Sequence, residues 1–223
     1  MIEVIKVKGR IEGNLKAHDI LKALSDGTTL LALSGGTSPD YRKMIVESAD
    51  ILPGGVCMVD ERYGFPNHPD SNESLLEASG LVTLYKSKNI PFVKALSGLG
   101  FEETGMTYDF QIRSLFEKHP KKIGIMGVGG NLHTAGIFPQ SPAVISTQLA
   151  VAQEVNDKFP KRITMTIKAL SAFSTFVILA FGQEKKEALK ILLDKKEQNV
   201  QKYPAIFYRT STIKSFLMTD IEI

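Results

Sequence analysis

His133 closes the run Ile123-Gly124-Ile125-Met126-Gly127-Val128-Gly129-Gly130-Asn131-Leu132-His133-Thr134, in which an apolar strand gives way to glycines and then to an imidazole. An imidazole titrating near neutrality can take a proton from water, so this position suits a general base. The bland alternative is a structural histidine. His18 in an amphipathic helix, His68 in a loop and His119 beside Pro120 fit surface or packing roles, and only His133 follows a glycine loop at a helix start. Gly127 and Gly129 begin a dinucleotide fingerprint, but its third glycine falls on Leu132. The nucleotide-cofactor reading is therefore rejected.

Two further strand exits carry polar residues. Val59-Asp60-Glu61-Arg62-Tyr63-Gly64 ends an apolar strand in three charges, ahead of a loop with His68, Asp70, Ser71 and Asn72. A carboxylate there can bind sugar hydroxyls and a guanidinium can meet a phosphate or an oxyanion, although Asp60 and Arg62 can also simply pair. Ser71 or Asp70 also suits a helix cap. Ser34-Gly35-Gly36-Thr37-Ser38-Pro39 is a glycine turn after a strand, with Ser38 as N-cap and Pro39 at the first helical position. Such a turn presents backbone N–H groups to an anion, or is an ordinary tight turn. Arg162 and Lys185 lie beside element ends and can each bind a phosphate dianion or stand as solvated charges.

These positions need a scaffold that brings strand exits together. Nearly continuous apolar runs at 29–33, 56–59, 123–128, 149–152 and 176–181 predict strands covered on both faces, as in a parallel α/β sheet. Helical spacing over 15–24, 106–116 and 183–193 supplies the covering layers, and 213–218 predicts a returning strand. Residues 79–100 mix Gly, Pro, Lys and Ser and receive no assignment. No repeat or linker divides the chain, so residues 1–223 are expected to form one domain.

Composition bounds the alternatives. With 43% hydrophobic and 23% charged residues, the chain is neither disordered nor fibrous. The excess of 27 Lys and Arg over 24 Asp and Glu, +3, is too small for a nucleic-acid binder but suits a small anionic partner. The single cysteine, Cys57, lies in an apolar strand and reads as a core thiol. Early charges from Glu3 to Glu12 break any secretory leader, and no apolar stretch is long enough to span a bilayer. A cytoplasmic protein without membrane partners is expected, as a monomer or a homodimer.

In order along the chain, Ser34-Gly35-Gly36-Thr37-Ser38-Pro39, Asp60-Glu61-Arg62 with Ser71-Asn72, the 127–139 segment, Arg162-Ile163-Thr164 and Gly182-x-x-Lys185 resemble the glucosamine-6-phosphate isomerase/6-phosphogluconolactonase family over roughly residues 30–190. The resemblance implies the Rossmann-like, mostly parallel sheet flanked by helices of the sugar-phosphate isomerase and CoA-transferase superfamily. Phe138 is followed by Pro139-Gln140-Ser141 rather than the Asn-Glu-Pro of the deaminase branch, which points to the lactonase branch. The resemblance implies hydrolysis of 6-phospho-D-glucono-1,5-lactone to 6-phosphogluconate in the oxidative pentose phosphate pathway, with no metal and no organic cofactor.

On that resemblance, His133, Asp60 and Arg62 are the catalytic set, with His133 as base on water and Arg62 or glycine-loop N–H groups on the oxyanion. Ser34, Gly35, Gly36, Thr37, Asn72, Asn131, Arg162 and Lys185 are the substrate and phosphate contacts. The chain departs from the family's Gly-x-Asp-Gly-His-Thr in having Asn131 for the carboxylate and Leu132 for the following glycine. Asn131 can hydrogen-bond the imidazole but cannot stabilise imidazolium by charge. If the glycine position needs positive φ, Leu132 is expected to move the loop. Two other readings stay open: a glucosamine-6-phosphate deaminase or isomerase in which Asp60 takes a carbon-bound proton, and a sugar-phosphate sensor without chemistry.

Overall fold

The structure, a computed structural model, describes residues 2–223. In chain order it comprises β1 (Ile2–Lys6), α1 (Arg10–Leu24), β2 (Thr29–Leu33), β3 (Gly55–Met58), β4 (Asp60–Arg62), α2 (Asn72–Ser79), α3 (Leu81–Ser87), β5 (Phe92–Val93), α4 (Phe101–Lys118), β6 (Lys121–Gly127), β7 (Ala150–Glu154), β8 (Lys161–Met165), α5 (Ile167–Leu170), β9 (Thr175–Leu179), α6 (Lys186–Leu193), α7 (Phe207–Thr210) and β10 (Lys214–Thr219). Seven strands form a parallel sheet in the order β1-β10-β9-β6-β2-β3-β5. This is the expected mostly parallel sheet flanked by helices. Strands β2 and β3 and most of β6 and β9 are buried, which explains their unbroken apolar runs.

A second sheet was not expected. Residues 149–152 contribute β7, which pairs antiparallel with β8, and β8 in turn pairs antiparallel with β4. The three charges of β4 are thus a strand rather than the frayed end of one. Val59 ties the two sheets, its N–H donating to the Leu33 carbonyl at 2.9 Å and its carbonyl accepting from Met165 N at 2.8 Å. Helix α4 spans the same junction: Tyr108 Oη donates to the Met58 carbonyl, while Asp109 Oδ1 accepts from Leu149 N (2.6 Å) and Ala150 N (3.0 Å). Cys57 is buried in β3, where burial pushes its thiol up, as a core role requires.

Helix α2 is capped as the sequence predicts. Ser71 Oγ accepts from Ser74 N at 3.1 Å. The buried Glu61 adds a second cap from β4: Oε1 accepts from Arg62 N (2.6 Å) and Asn72 N (2.7 Å), and Oε2 from Glu73 N (2.7 Å). Burial pushes the Glu61 carboxyl up to about 8, against the pull of those N–H donors.

The glycine turn after β2 departs from its expected cap. The next helical turn begins at Tyr41, and Asp40 caps it through Oδ1 to Lys43 N at 3.2 Å; residues 42–46 then wind as a π-helix, with Glu47 N donating to Arg42 O at 2.9 Å. Ser38 and Pro39 instead offer their carbonyls to α1, where Asn14 Nδ2 reaches Ser38 O (3.1 Å) and Arg10 Nη2 reaches Pro39 O (3.1 Å). Asn14 Oδ1 also takes the Asp40 N–H at 2.7 Å, so a buried amide on α1 latches the turn from behind.

Both glycines are required by their surroundings. Gly36 holds φ +89°, and a Cβ on Gly35 would lie 1.9 Å from Asn72 Oδ1. Gly35→Ala is expected to lose about 1–3 kcal/mol by overpacking and Gly36→Ala about 1 kcal/mol by strain, measured by urea unfolding. Adding Asn72→Ala should recover much of the first loss and none of the second; a Gly35→Ala protein as stable as the parent would disprove the close approach.

Candidate active site

Strands β2 and β6 are neighbours, yet β2 leads to β3 on one side of the sheet and β6 to β9 on the other. Their carboxyl ends therefore flank a topological switch point, where open α/β sheets leave a crevice. A cavity of about 400 Å³ lies there, lined by the 34–39 turn, Asp60, Arg62 and Asn72 from β4 and α2, the glycines after β6, His133, Arg162 and Lys185. The positions singled out in the sequence thus meet, with one exception. Asn131 does not line the cavity but stands behind His133.

That placement fixes the histidine. Asn131 Oδ1 accepts both the His133 backbone N–H (3.1 Å) and His133 Nδ1–H (2.6 Å). The backbone N–H can only donate, so the atom it meets is the amide oxygen, and the ring tautomer follows: Nδ1, in contact with the same oxygen, carries the proton and Nε2 keeps its lone pair. Nε2 has no protein partner among the described residues. The ring stacks on Phe138 at 4.3 Å between centroids and 10° between planes, and it occupies the space a side chain at Gly129 would need. Burial, with Arg162 and Lys185 nearby, lowers the His133 pKa to about 4, Asp157 pulling the other way. At neutral pH the imidazole is an uncharged base.

Leu132 takes the left-handed conformation that a glycine would supply. It adopts φ +63° itself, a conformation costly for a branched side chain, and is 1% exposed. Burial against the core offsets the strain, and the segment after α6 braces the turn. Ala205 N donates to Leu132 O at 2.9 Å, and Thr134 Oγ1 bonds both the Gly127 carbonyl (3.1 Å) and Tyr208 Oη.

The opposite wall is charged. Asp60 is 5% exposed, and burial holds its carboxyl above the usual range although Arg162 and Arg62 pull it down. It pairs with Arg162, Nη1 to Oδ2 at 3.6 Å, and not with Arg62 as the bland reading supposed. Arg62 donates through Nη1 to the Asp70 carbonyl at 2.8 Å and lies 4.3 Å over the Phe159 ring. His68 supports it, with Nε2 2.9 Å from the Arg62 carbonyl, a packing role as expected.

Several polar atoms here have no protein partner: Ser34 Oγ, Arg62 Nε and Asn72 Oδ1 are buried without one. The N–H groups of Gly35, Gly36 and Thr37 likewise meet no protein acceptor among the described residues. Buried polar groups ordinarily find partners, so this cluster marks a place for a polar ligand. Four cations, Arg62, Lys158, Arg162 and Lys185, against the carboxylates Asp60 and Asp157 give the cavity a positive balance. Sequence reasoning missed Asp157, Lys158 and Phe159, which sit on the loop between β7 and β8; their charged and aromatic types just before Arg162 were the available signal.

A parallel α/β sheet with a cationic crevice and a lone oriented histidine at its switch point defines a class of small-anion site. Comparison with known proteins gives the family. Residues 13–216 match the model described as "Glucosamine-6-phosphate isomerases/6-phosphogluconolactonase", and the chain belongs to that family. A 6-phosphogluconolactonase from Synechocystis sp. is 28% identical over 198 residues, 84% of this chain and 81% of the relative. A glucosamine-6-phosphate deaminase from Streptococcus equi subsp. zooepidemicus is 27% identical over 204 residues, 85% of each chain. The crystal structure of a 6-phosphogluconolactonase from Shewanella baltica superposes with a TM-score of 0.76 at 19% identity, covering 98% of this chain and 97% of that one, and so shares the fold.

Restoring a carboxylate beside the imidazole tests the electrostatics. In Asn131→Asp the His133 pKa is expected to rise from about 4 toward the ordinary 6.5, followed by NMR titration of the ring protons. An unchanged titration would show that residue 131 does not contact Nδ1.

Proposed function

We propose that this protein hydrolyses a phosphorylated sugar lactone, 6-phospho-D-glucono-1,5-lactone, to 6-phosphogluconate. The observation that carries the reading is the locked tautomer of His133, with Nδ1–H spent on Asn131 Oδ1 at 2.6 Å and Nε2 left as a base at the cavity. In the proposed reaction Nε2 takes a proton from water as its oxygen attacks the lactone carbonyl. Arg62 or the N–H groups of the glycine loop after β6 receive the oxyanion. When the intermediate collapses, the ring ester bond breaks and the imidazolium returns its proton to the departing hydroxyl oxygen, so the base is regenerated.

The phosphate is assigned to the other end of the cationic wall. Lys185, Arg162 and the unpartnered N–H groups of the 35–37 turn provide charge-assisted donors. The turn provides these donors without a long helix behind it, since only the short 42–46 segment follows. Phe138-Pro139-Gln140 after the histidine motif supports the lactonase branch.

A second reading rests on Asp60. Its carboxyl, held above the usual range by burial, suits abstraction of a carbon-bound proton in an aldose–ketose isomerisation with deamination.

The test is turnover of freshly generated lactone, corrected for spontaneous hydrolysis, beside ammonia release from glucosamine 6-phosphate. Lactone turnover is expected, falling by about 10²–10⁴-fold in His133→Ala. Lys185→Ala is expected mainly to raise KM. Because a base of pKa about 4 is already deprotonated at neutrality, kcat/KM should stay flat from pH 6 to 8 and decline only as pH falls toward 4. Ammonia release without lactone turnover would replace this reading with the second, and phosphogluconate binding with neither activity would leave a sensor.

A further inference from the structure

Three protein oxygens surround the Arg162 guanidinium. Nε donates to the Phe159 carbonyl at 2.9 Å, Nη2 to Asp157 Oδ2 at 2.5 Å, and Nη1 lies 3.6 Å from Asp60 Oδ2. The three partners are held very differently. Asp60 sits on β4, paired across to β8, and its side chain is 7% exposed. Asp157 sits on the loop joining β7 to β8, and its side chain is 34% exposed against 8% for that of Arg162. The guanidinium is therefore part of the cavity wall, while the carboxylate on Nη2 comes from the solvent edge.

A carboxylate and a phosphate oxygen seek the same donors of an arginine, in the same plane and at the same distance. A phosphate dianion arriving at this wall meets Arg162 already paired, and it repels the carboxylate that pairs it. We infer that Asp157 is an internal competitor for the ligand's phosphate: its carboxylate holds Arg162 until a dianion displaces it. The inference rests on the proposed phosphorylated substrate, and it adds a residue that sets affinity and charge preference at that site.

The exchange favours dianions over neutral sugars, because a neutral hydroxyl cannot repay the lost ion pair. It also reaches Arg62. The Phe159 carbonyl is bonded to Arg162 and its ring lies under the Arg62 guanidinium at 4.3 Å, so the residues on either side of Lys158 contact both arginines. Lys158, exposed on that loop and 5.0 Å from the Phe159 ring centroid, adds a cation on the same side.

A merely supporting role for Asp157 predicts the opposite outcome, which makes the experiment decisive. Isothermal titration of the full chain with inorganic phosphate, and separately with 6-phosphogluconate, would compare the parent with Asp157→Asn and Asp157→Glu. Competition predicts that Asp157→Asn binds phosphate roughly fivefold more tightly, the worth of one partly exposed ion pair, and that Asp157→Glu stays near the parent. Equal or weaker phosphate binding by Asp157→Asn would overturn the inference, since a carboxylate that only props Arg162 weakens the site when removed. Phosphate binding by neither protein would overturn it as well. Tighter phosphate binding in a protein that turns over no lactone would refute the proposed reaction and leave the competition standing.

Discussion

The parallel hydrogen bonding of β2 to β6 is the constraint from which the rest of the site follows. Leu33 lies beside Ile125 in that pair, and Ser34 N continues the ladder to the Ile125 carbonyl at 3.1 Å. The two glycine segments must therefore leave the sheet side by side. Because the chain crosses in opposite directions after each, nothing fills the gap between them. The turn at 34–39 and the loop at 127–133 become opposing lips of one cavity, although ninety residues of sequence separate them. A change of register between these strands would move the imidazole away from the N–H groups of the turn without altering either motif.

Around that pair the protein spends side chains on immobilising backbone. Asn14 and Arg10 hold the first lip from α1, while Ala205 and Tyr208, in the chain's last helical turns, hold the second at Leu132 and Thr134. Glu61 plays the same part for the third element by gathering the N–H groups of Arg62, Asn72 and Glu73. The consequence is electrostatic as well as geometric. With the backbone fixed from outside, the polar atoms facing inward need not satisfy one another, and Ser34, Arg62 and Asn72 keep unpartnered atoms at the cavity. Donors fixed in advance stabilise developing charge without reorganisation during reaction, which is where enzymes of this kind gain most.

The legible part of the fold was the part made by local pattern. Continuous apolar runs marked β2, β3, β6 and β9 because both faces of a central parallel strand are covered, and Ser71 marked α2 because capping is a local interaction. The obscure part depends on pairing across distance. Asp60-Glu61-Arg62 has no strand propensity of its own and becomes β4 only through β8, a hundred residues later. Ser38-Pro39 satisfied every local rule for a helix start, yet Asn14 and Arg10 on α1 took the two carbonyls and the start fell to Asp40. The same division runs through the site. Residue types at strand exits gave His133, Arg162 and Lys185, whereas Asp157 and Phe159 matter only because an antiparallel hairpin returns them to Arg162.

Asn131 and Leu132 set the electrostatics and the backbone geometry of the histidine loop separately. The backbone needs a left-handed residue at 132, and Leu132 supplies it at φ +63° because its side chain gains burial that a glycine would forgo. The hydrogen bond to the imidazole needs an oxygen at 131, and an amide supplies that as well as a carboxylate would. Only the charge differs. A carboxylate would raise the basicity of the ring, whereas beside the amide burial, and after it Arg162 and Lys185, hold His133 neutral and make it a weaker base. In the proposed reaction a weaker base leaves more of the barrier to the stabilisation of the oxyanion. Arg162 and Lys185, which add to burial in depressing the imidazole, are the cations proposed to hold the phosphate, so the charge that favours anion binding also weakens the base.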